Sequence, residues 1–342
     1  MRYNTPNEKF PVPAGTGGRI LRGAKPMPTK LQKLKGTKAY GLLMLAAMVV
    51  FFYAVFKILT PDNFGSPDRL YSYLQSSIIY SVGGCGLYFI VVMGLFDFAV
   101  GSNIVLSSIV GVMLSQHFGY VGFVVGCLGC GLLIGTLIGT LYNQLNVPSM
   151  IVTVGLMLIF ECIAVMVAGG VKQTLAPELR FFSGAPGNII LAGLAFALMY
   201  FILNYTKIGT YCNAIGSNEY TAKNMGISVK KYKLIGFMLL HFFVGIMAIL
   251  TVSYGTTMTA LTGMSTMSRN FQPLMGTFFG VAFKKYGMPI TAIVVGEFII
   301  SMIFSGFVAL GAPTTIQNVV TGAALLAIVA LTARGGRGSV VK

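Results

Sequence analysis

Charge is what this sequence has least of. Only 9% of its 342 residues are charged and only eight are acidic, whereas hydrophobic residues make up 55%. A soluble domain carries about 25% charged residues, so this composition excludes an ordinary soluble protein and indicates a chain that resides in a lipid bilayer. The 24 Lys and Arg residues give a net charge of +16. Because they lie in tails and loops, they indicate membrane topology and contact with anionic lipid, and not binding of nucleic acid.

Catalytic and metal-binding motifs are also missing. The chain contains no G-x-S-x-G, H-E-x-x-H or Walker A pattern, so we expect no enzymatic activity, no cofactor in this chain and no metal site. Cys127 and Cys130 form a C-x-x-C pair, but an apolar run surrounds them and no histidine lies nearby, which argues against zinc or redox chemistry. No cleavable signal peptide is expected, because the first 38 residues contain no apolar core.

Apolar segments of roughly membrane-spanning length follow one another along the chain. They predict an all-α polytopic membrane protein with about ten transmembrane segments in two pseudo-repeated halves, of which the third and eighth are short. Residues 1–38 and 333–342 are predicted to be basic tails around a membrane domain over 39–332. The segments are Tyr40–Thr60, Tyr71–Gly94, Asn103–Gln116, Val121–Leu141, Met150–Ala168, Asn188–Leu203, Leu234–Tyr254, Gln272–Phe283, Met288–Leu310 and Ile316–Leu331.

The distribution of basic residues predicts the orientation. Ten crossings place both termini on one side of the membrane, and most of the 24 Lys and Arg residues fall on that side. They lie in the two tails, in a central polar segment and at Lys284 and Lys285. Loops with an excess of Lys and Arg face the cytoplasm, so both termini are predicted to be cytoplasmic.

The central polar segment, Asn204–Lys233, carries five lysines and one glutamate, Glu219. Its middle, Gly216–Gly226, predicts a short helix. Ser217 or Asn218 can act as the N-cap, the glutamate lies in the first turn, where the helix dipole favours a carboxylate, and the final glycine ends the helix. Such a helix at the cytoplasmic face suits docking on a soluble partner; an ordinary loop with one helical turn is the alternative.

The first of two glycine-containing breaks is Gly94–Ser102, which holds Asp97 in an otherwise apolar context. A carboxylate at membrane depth needs a partner or a wet cavity. Ser102 and Asn103 are predicted to be N-caps of the next helix, whose free N–H groups would be available to a ligand.

The second break is Gly276–Gly287, with glycines at 276 and 280. Short, interrupted segments in matching halves of a membrane protein are typical of discontinuous helices beside a pathway near the bilayer midplane. The candidate pathway residues are therefore Asp97, Ser102, Asn103, Glu161, Gly276, Gly280 and Glu297.

Three acidic residues, Asp97, Glu161 and Glu297, lie at predicted membrane depth. They can bind solute hydroxyls, relay protons or hold helices together, and the sequence leaves these roles open. His241, on an apolar helix, is interpreted as a packed histidine. Gly131-x-x-x-Gly135-x-x-x-Gly139 places three glycines on one helix face, where they allow close helix packing within a subunit or at a dimer seam.

Three stretches resemble motifs of the ribose-type ABC sugar permeases. Gly94–Ser102 (GLFDFAVGS) is similar to their G-G-x-D-L-S-x-G-S break, and Val147–Gly155 (VPSMIVTVG) to their V-P-x-F-I-V-T-L-G entry into the fifth helix. Gly209–Gly226 resembles their G-R-x-x-x-A-I-G-x-N-x-x-A-A-x-x-x-G cytoplasmic loop. The positions that match in this loop are Gly209, Ala214, Ile215, Gly216, Asn218, Glu219, Ala222 and Gly226.

The resemblance implies the transmembrane subunit of an ATP-binding-cassette importer in a bacterial inner membrane. Such a subunit pairs with a second permease copy or a paralogue, receives solute from an extracytoplasmic binding protein, and leaves ATP hydrolysis to an ATPase subunit. It further implies that Gly216–Gly226 is the coupling helix that docks on the ATPase.

Departures from the family pattern leave the solute open. Leu95 replaces the second glycine of the G-G-x-D element, Phe98 and Ala99 replace its Leu-Ser pair, and Gly276–Gly280 (GTFFG) stands where a G-G-x-S-x-x-G-G element is expected. A monosaccharide is favoured, with a nucleoside, a modified sugar or a polyol as alternatives. The competing class is an ion-coupled secondary transporter that uses Glu161 and Glu297 as proton sites; an intramembrane enzyme ranks last.

Overall fold

The computed structural model describes residues 38–313, together with 319, 322, 323 and 326. Within these residues the secondary structure is helical, apart from one isolated bridge between Gln173 and Met258. Most of the N-terminal tail, the C-terminal tail and most of the predicted segment Ile316–Leu331 lie outside the described residues. The α-helices are α1 (Lys38–Leu59), α2 (Pro67–Val92), α3 (Val100–Leu145), α4 (Ser149–Ala168), α5 (Gly187–Tyr205), α6 (Lys207–Ser217), α7 (Glu219–Asn224), α8 (Val229–Ser253), α9 (Phe271–Ala282) and α10 (Pro289–Ala309).

Seven helices in this range, namely α1, α2, α3, α4, α5, α8 and α10, are long and apolar enough to cross a membrane. The predicted class, an all-α multi-pass membrane protein, is therefore confirmed. The total of ten crossings and the side on which the termini lie stay predictions.

Helix α3 contains two antiparallel halves. As one straight helix its 46 residues would extend about 69 Å, more than twice the roughly 30 Å of a bilayer core. Gly119 adopts non-helical angles (φ 60°, ψ −142°), and Gly126 packs back onto Gly111, so that a Cβ atom on Gly126 would lie 2.9 Å from the Gly111 Cα atom. The halves, 100–118 and 120–145, correspond to the third and fourth predicted segments. The prediction that the third is short is wrong, because 100–118 extends about 28 Å.

Helix α9 is the short element that the sequence predicts. Its 12 residues extend only about 18 Å, too little to cross the bilayer core alone. The 3₁₀ turns Met267–Asn270 and Lys284–Tyr286 flank it, and it packs between α2 and α10.

The three glycines on one face of α3, at positions 131, 135 and 139, pack against α8 inside this subunit. A Cβ atom on Gly131 would lie 2.5 Å from the backbone oxygen of His241, and one on Gly135 would lie 2.7 Å from that of Phe237. Gly139 faces Leu234 in the same way. The two backbones therefore touch along this seam, and α3 and α8 form the most extensive helix pair in the described structure.

The central polar segment is more helical than predicted. The single helix expected over Gly216–Gly226 is wrong, since its first two residues end α6 and only Glu219–Asn224 form α7. Helix α6 begins where the Thr206 hydroxyl accepts a hydrogen bond from the Ile208 N–H (3.2 Å). It buries Cys212, and this burial raises the pKa of the thiol to about 12.

Candidate functional site

Helix α2 ends abruptly at the first break. Gly94 has φ 78°, its N–H donates to the Val91 oxygen, and the Leu95 N–H donates to the Ile90 oxygen, both at 3.0 Å. This is a Schellman termination, in which glycine takes the left-handed position. From here to Ala99 the chain is not helical, and Leu95, Asp97 and Ala99 are buried.

Asp97 organises the start of the next helix. Its Oδ1 atom accepts the Ala99 N–H at 2.6 Å, just before α3 begins. The prediction that Ser102 and Asn103 are N-caps is wrong, since both lie inside the first turn and Ser102 Oγ donates back to the Ala99 oxygen (2.9 Å). The aspartate, three residues before the helix, supplies the oxygen instead.

The second Asp97 oxygen starts a buried polar chain. His241 Nε2 lies 2.8 Å from Asp97 Oδ2, His241 Nδ1 lies 2.7 Å from Asn103 Nδ2, and Ser107 Oγ donates to Asn103 Oδ1 at 2.5 Å. The side chains of Asp97 and His241 are fully buried. With the Asn103 amide donating to Nδ1, Nε2 carries the proton and donates it to the carboxylate. Sequence reasoning missed this role of His241.

The backbone of the first break is satisfied by α4. The Phe96 N–H donates to Ser149 Oγ (3.0 Å) and the Phe98 N–H donates to Thr153 Oγ1 (3.1 Å). Both hydroxyls belong to the VPSMIVTVG stretch. Two of the stretches that resemble family motifs therefore contact each other. The first break supplies backbone N–H groups that lie outside any helix, and the VPSMIVTVG stretch supplies the hydroxyl oxygens that accept their hydrogen bonds.

Asn270 joins the two breaks. It is 1% exposed, and its side-chain oxygen accepts the Gly101 N–H at 2.6 Å. Its amide nitrogen donates to the Phe98 oxygen (2.8 Å) and to the Met267 oxygen (3.0 Å). It lies directly before α9. Sequence reasoning missed it, because its side chain makes no capping hydrogen bond to α9 and two of its partners, Gly101 and Phe98, lie far away in the sequence.

Glu161 anchors the loop that leads into the second break. Its carboxylate accepts the N–H of Met264 (2.9 Å), the N–H of Thr266 (2.8 Å) and the Thr266 hydroxyl (2.7 Å). Met264 has φ 65°, a left-handed conformation that is unusual for this residue type. Met264 and Thr266 lie in an irregular turn, so their N–H groups have no carbonyl of a helix to bond with. The buried glutamate on α4 supplies the acceptors instead.

Gly276, Gly280 and Glu297 form a separate group at the contact between α9 and α10. Glu297 Oε1 accepts the Gly276 N–H at 3.1 Å, and Gly280 packs on Ile293. Glu297 is fully buried, and among the described residues its Oε2 atom has no hydrogen-bond partner. The structure thus brings Asp97, Ser102 and Asn103 together and connects Glu161 to them through the turn at residues 264–270. The group formed by Gly276, Gly280 and Glu297 lies apart from them.

Helix α7 is short, capped and exposed. Asn218 Oδ1 accepts the Thr221 N–H at 2.9 Å, and Gly226 follows the helix with φ 82°. Ala222 is buried, whereas Tyr220 and Met225 are 75% and 76% exposed. Ala222 therefore anchors the helix, while Tyr220 and Met225, which directly follows the helix, are apolar side chains exposed to solvent outside the membrane-length helices.

Two contacts tie this region to the bundle. Gly216, at the end of α6, packs directly on the Val92 carbonyl, where no Cβ atom fits. Glu219 forms an ion pair with Lys233 on α8, whose Nζ atom lies 2.9 Å and 3.0 Å from the two carboxylate oxygens and 3.3 Å from the Tyr142 hydroxyl. A cavity of about 680 Å³ opens beside these groups. Val92 is the last residue of α2, immediately before the first break.

These features define a class of protein. Irregular backbone at membrane depth is tolerated only where protein or a water-filled cavity covers it, and helices broken in this way are typical of solute permeases. The family model for the permease component of the branched-chain amino acid transport system matches residues 69–329, and the chain belongs to this family. Members are transport subunits and not enzymes. Within the described residues, no cluster of side chains could hold a metal ion.

Curated relatives are sugar permeases. The chain is 27% identical over 301 residues to the D-allose transport system permease protein of Escherichia coli K12, covering 85% of this chain and 90% of that protein. It is 25% identical over 240 residues to the ribose import permease protein of the same strain, covering 66% and 71%. A xylose/arabinose import permease protein of Sulfolobus acidocaldarius is 34% identical over 117 residues, 33% of each chain. The predicted resemblance to ribose-type sugar permeases is confirmed. No solved structure matches the chain.

Proposed function

We propose that this chain is the transmembrane subunit of an ATP-driven importer for a monosaccharide or a similar small polyhydroxylated solute. Its relatives act on ribose, allose and arabinose by their names. The observation that carries the proposal is the contact of Gly216 with Val92, because it joins α6, which leads directly into the exposed, capped α7, to the end of α2 before the first membrane break. A nucleoside or a modified sugar is the second candidate for the solute.

In this proposal α7 and the residues that flank it form the coupling helix, and its coupling residues are Gly216, Asn218, Glu219, Ala222 and Gly226. Tyr220 on α7 and Met225 directly after it are exposed side chains that a partner ATPase would cover, and aromatic residues and methionine are enriched at interfaces. Ala222 faces inward and fixes the helix to the bundle. ATP binding and hydrolysis belong to the partner subunit, and a binding protein on the opposite side delivers the solute.

We place the solute pathway beside the two breaks. The conformation of these breaks is maintained by Asp97, Ser102, Asn103 and Glu161. Helix α9 is held close to α10 by Gly276, Gly280 and Glu297. The side chains of Phe96 and Phe98 in the first break are half-buried. A second permease copy or a close paralogue would complete the pathway, with ten crossings and both termini in the cytoplasm of a bacterial inner membrane.

The test is reconstitution in liposomes with a partner ATPase and a solute-binding protein from the same organism, using D-ribose, D-allose and L-arabinose as probes. Wild-type protein should show solute-stimulated ATP hydrolysis. Glu219→Lys and Gly226→Pro should abolish the stimulation but leave membrane insertion intact, because they alter the charge and the ending of α7. Glu178→Lys, an equal charge change at an exposed glutamate far from α7 in sequence, is the control.

Two results would reject the proposal. One is wild-type stimulation in both α7 variants, which would remove the coupling role. The other is solute uptake that persists without the ATPase and collapses with the proton gradient, which would assign the chain to the ion-coupled class.

A further inference from the structure

Helix α8 presents two charged or polar contacts on one face. Lys233 and His241 are eight residues apart, and Phe237 lies midway, so all three share one side of the helix. Lys233 pairs with Glu219 at the start of α7. His241 pairs with Asp97 in the first break. One helix face thus reaches both the exposed helix and the break, with about 12 Å of helix between the two contacts.

The portion of α8 between these contacts is held firmly along α3. Gly135 lies against the Phe237 carbonyl and Gly131 against the His241 carbonyl, within distances that exclude a Cβ atom. Close-packed interiors transmit displacement instead of absorbing it. A shift of the N-terminal end of α8 is therefore passed along the helix axis and, through the backbone contacts, to the second half of α3.

The cytoplasmic end of this face depends on a buried cation. The Lys233 side chain is only 11% exposed, whereas that of Glu219 is 56% exposed. Tyr142 provides a hydroxyl at 3.3 Å and a ring centroid at 5.5 Å from Nζ. The only carboxylate that the described structure places on this lysine belongs to α7, so moving α7 either carries Lys233 with it or leaves a buried charge unpaired.

The membrane end depends on an equally specific contact. Asp97 gives one oxygen to His241 and the other to the Ala99 N–H. A displacement of His241 therefore acts on the very carboxylate that starts α3. Asn103 holds the other side of the imidazole, so the ring cannot turn away without breaking a second buried hydrogen bond.

We propose that α8 is the element that transmits movement of α7 to the first membrane break, with Lys233 and His241 as positioning residues at its two ends. This inference rests on the proposed function, in which α7 docks on an ATPase. In this inference, movement of α7 reaches α8 through the Glu219–Lys233 ion pair, and α8 passes it to the first break through the His241–Asp97 hydrogen bond. The direct contact of Gly216 with Val92 then places the end of α2 but does not by itself switch the break.

The experiment measures the solute transported per ATP hydrolysed in the same reconstituted system, using whichever of the three sugars stimulates the wild-type protein most. Lys233→Met should lower this ratio about tenfold, a magnitude usual for coupling between sites, and Lys233→Arg should restore it. His241→Gln should also lower it. Lys230→Met removes an exposed lysine three residues earlier on the same helix and should leave the ratio unchanged.

A fluorescence reading separates transmission from docking. The chain contains no tryptophan, so Phe96→Trp places a single reporter in the break. Addition of the ATPase with a non-hydrolysable ATP analogue should change its emission in the otherwise native chain. The change should disappear when Lys233→Met is added, while binding of a labelled ATPase, measured by anisotropy, persists.

The double variant Lys233→Met/His241→Gln gives the sharpest outcome. If both residues lie on one route, it is no more uncoupled than either single variant, whereas independent effects multiply. A multiplied loss, or a normal ratio in Lys233→Met, overturns the role of α8. Absence of solute-stimulated hydrolysis in the wild-type chain rejects the proposed function itself, so the two failures are distinguishable.

Discussion

At the scale of single residues, Asp97 divides its two oxygens between two elements. One oxygen starts α3 through the Ala99 N–H, and the other fixes His241 on α8. Neither contact is with solvent, since the side chain is fully buried. The carboxylate therefore holds the geometry of the break, whatever it contributes to the passage of solute.

Replacing Asp97 tests this division. Asp97→Ala should destabilise the fold by roughly 1–3 kcal/mol for each of the two buried donors left unpaired. Asp97→Asn should cost less, because its amide oxygen can still accept the Ala99 N–H. Thermal unfolding in detergent, followed by loss of the monodisperse peak, measures both. Equal losses in the two variants would contradict the capping role.

Leu95 shows how a departure from the family pattern is accommodated. It stands where the resemblance predicts a second glycine, yet only Gly94 has a positive φ in this turn. Leu95 is buried in the core, and its N–H closes the turn on Ile90. An apolar residue is favoured at this position of a Schellman turn, so the substitution fits without strain.

Sequence reasoning identified Asp97 but not Asn270, for a physical reason. Asp97 is conspicuous because a carboxylate in an apolar stretch needs an explanation by itself. Asn270 acquires its role from Gly101 and Phe98, which lie 169 and 172 residues earlier. No local pattern reveals such partners, and only the tertiary structure brings them together.

At the scale of elements, the seam between α3 and α8 depends on missing side chains. Gly131→Leu should open it, because its Cβ atom would lie 2.5 Å from the His241 carbonyl oxygen. Overpacking of this kind costs about 1–3 kcal/mol. Gly129→Leu is the matched control, two residues earlier in the same helix, since a Cβ atom added there would have no neighbouring atom within 4 Å.

Unfolding temperature in detergent is the measurement for this pair of variants. A fall for Gly131→Leu with little change for Gly129→Leu is expected. Equal falls would mean that helix propensity, and not contact with α8, determines the effect.

The apolar helices could be predicted because hydrophobic length is a strong signal, and the reversal at Gly119 appears in the sequence as a gap between two segments. Helix α6 could not. Its buried face is only Gly209, Cys212 and Ile215, three small or medium residues in a polar stretch. So narrow an apolar face lacks the length over which helical periodicity becomes distinctive.

At the scale of the whole molecule, the orientation is the prediction that most needs a direct test. Lys223→Cys and Asp62→Cys place thiols at exposed positions that the charge distribution assigns to opposite sides of the membrane. In intact spheroplasts, an impermeant maleimide should label Asp62→Cys and should reach Lys223→Cys only after permeabilisation.

Native cysteines interfere little with this measurement. Cys85, Cys127 and Cys212 are buried, and the raised pKa of Cys212 keeps its thiol protonated at neutral pH. The unmodified chain, with Cys162 exposed on an apolar helix, gives the background. The reverse labelling pattern would invert the topology and would remove α7 from the cytoplasm.

The first break also has a consequence for biosynthesis. The acceptors for its backbone N–H groups are encoded 53, 55 and 169 residues further along the chain, at Ser149, Thr153 and Asn270. A nascent chain that has inserted only α1–α3 therefore holds unpaired peptide groups at membrane depth, where each is costly. We therefore expect the first break to reach its final conformation only after α4 and the turn that precedes α9 have been inserted.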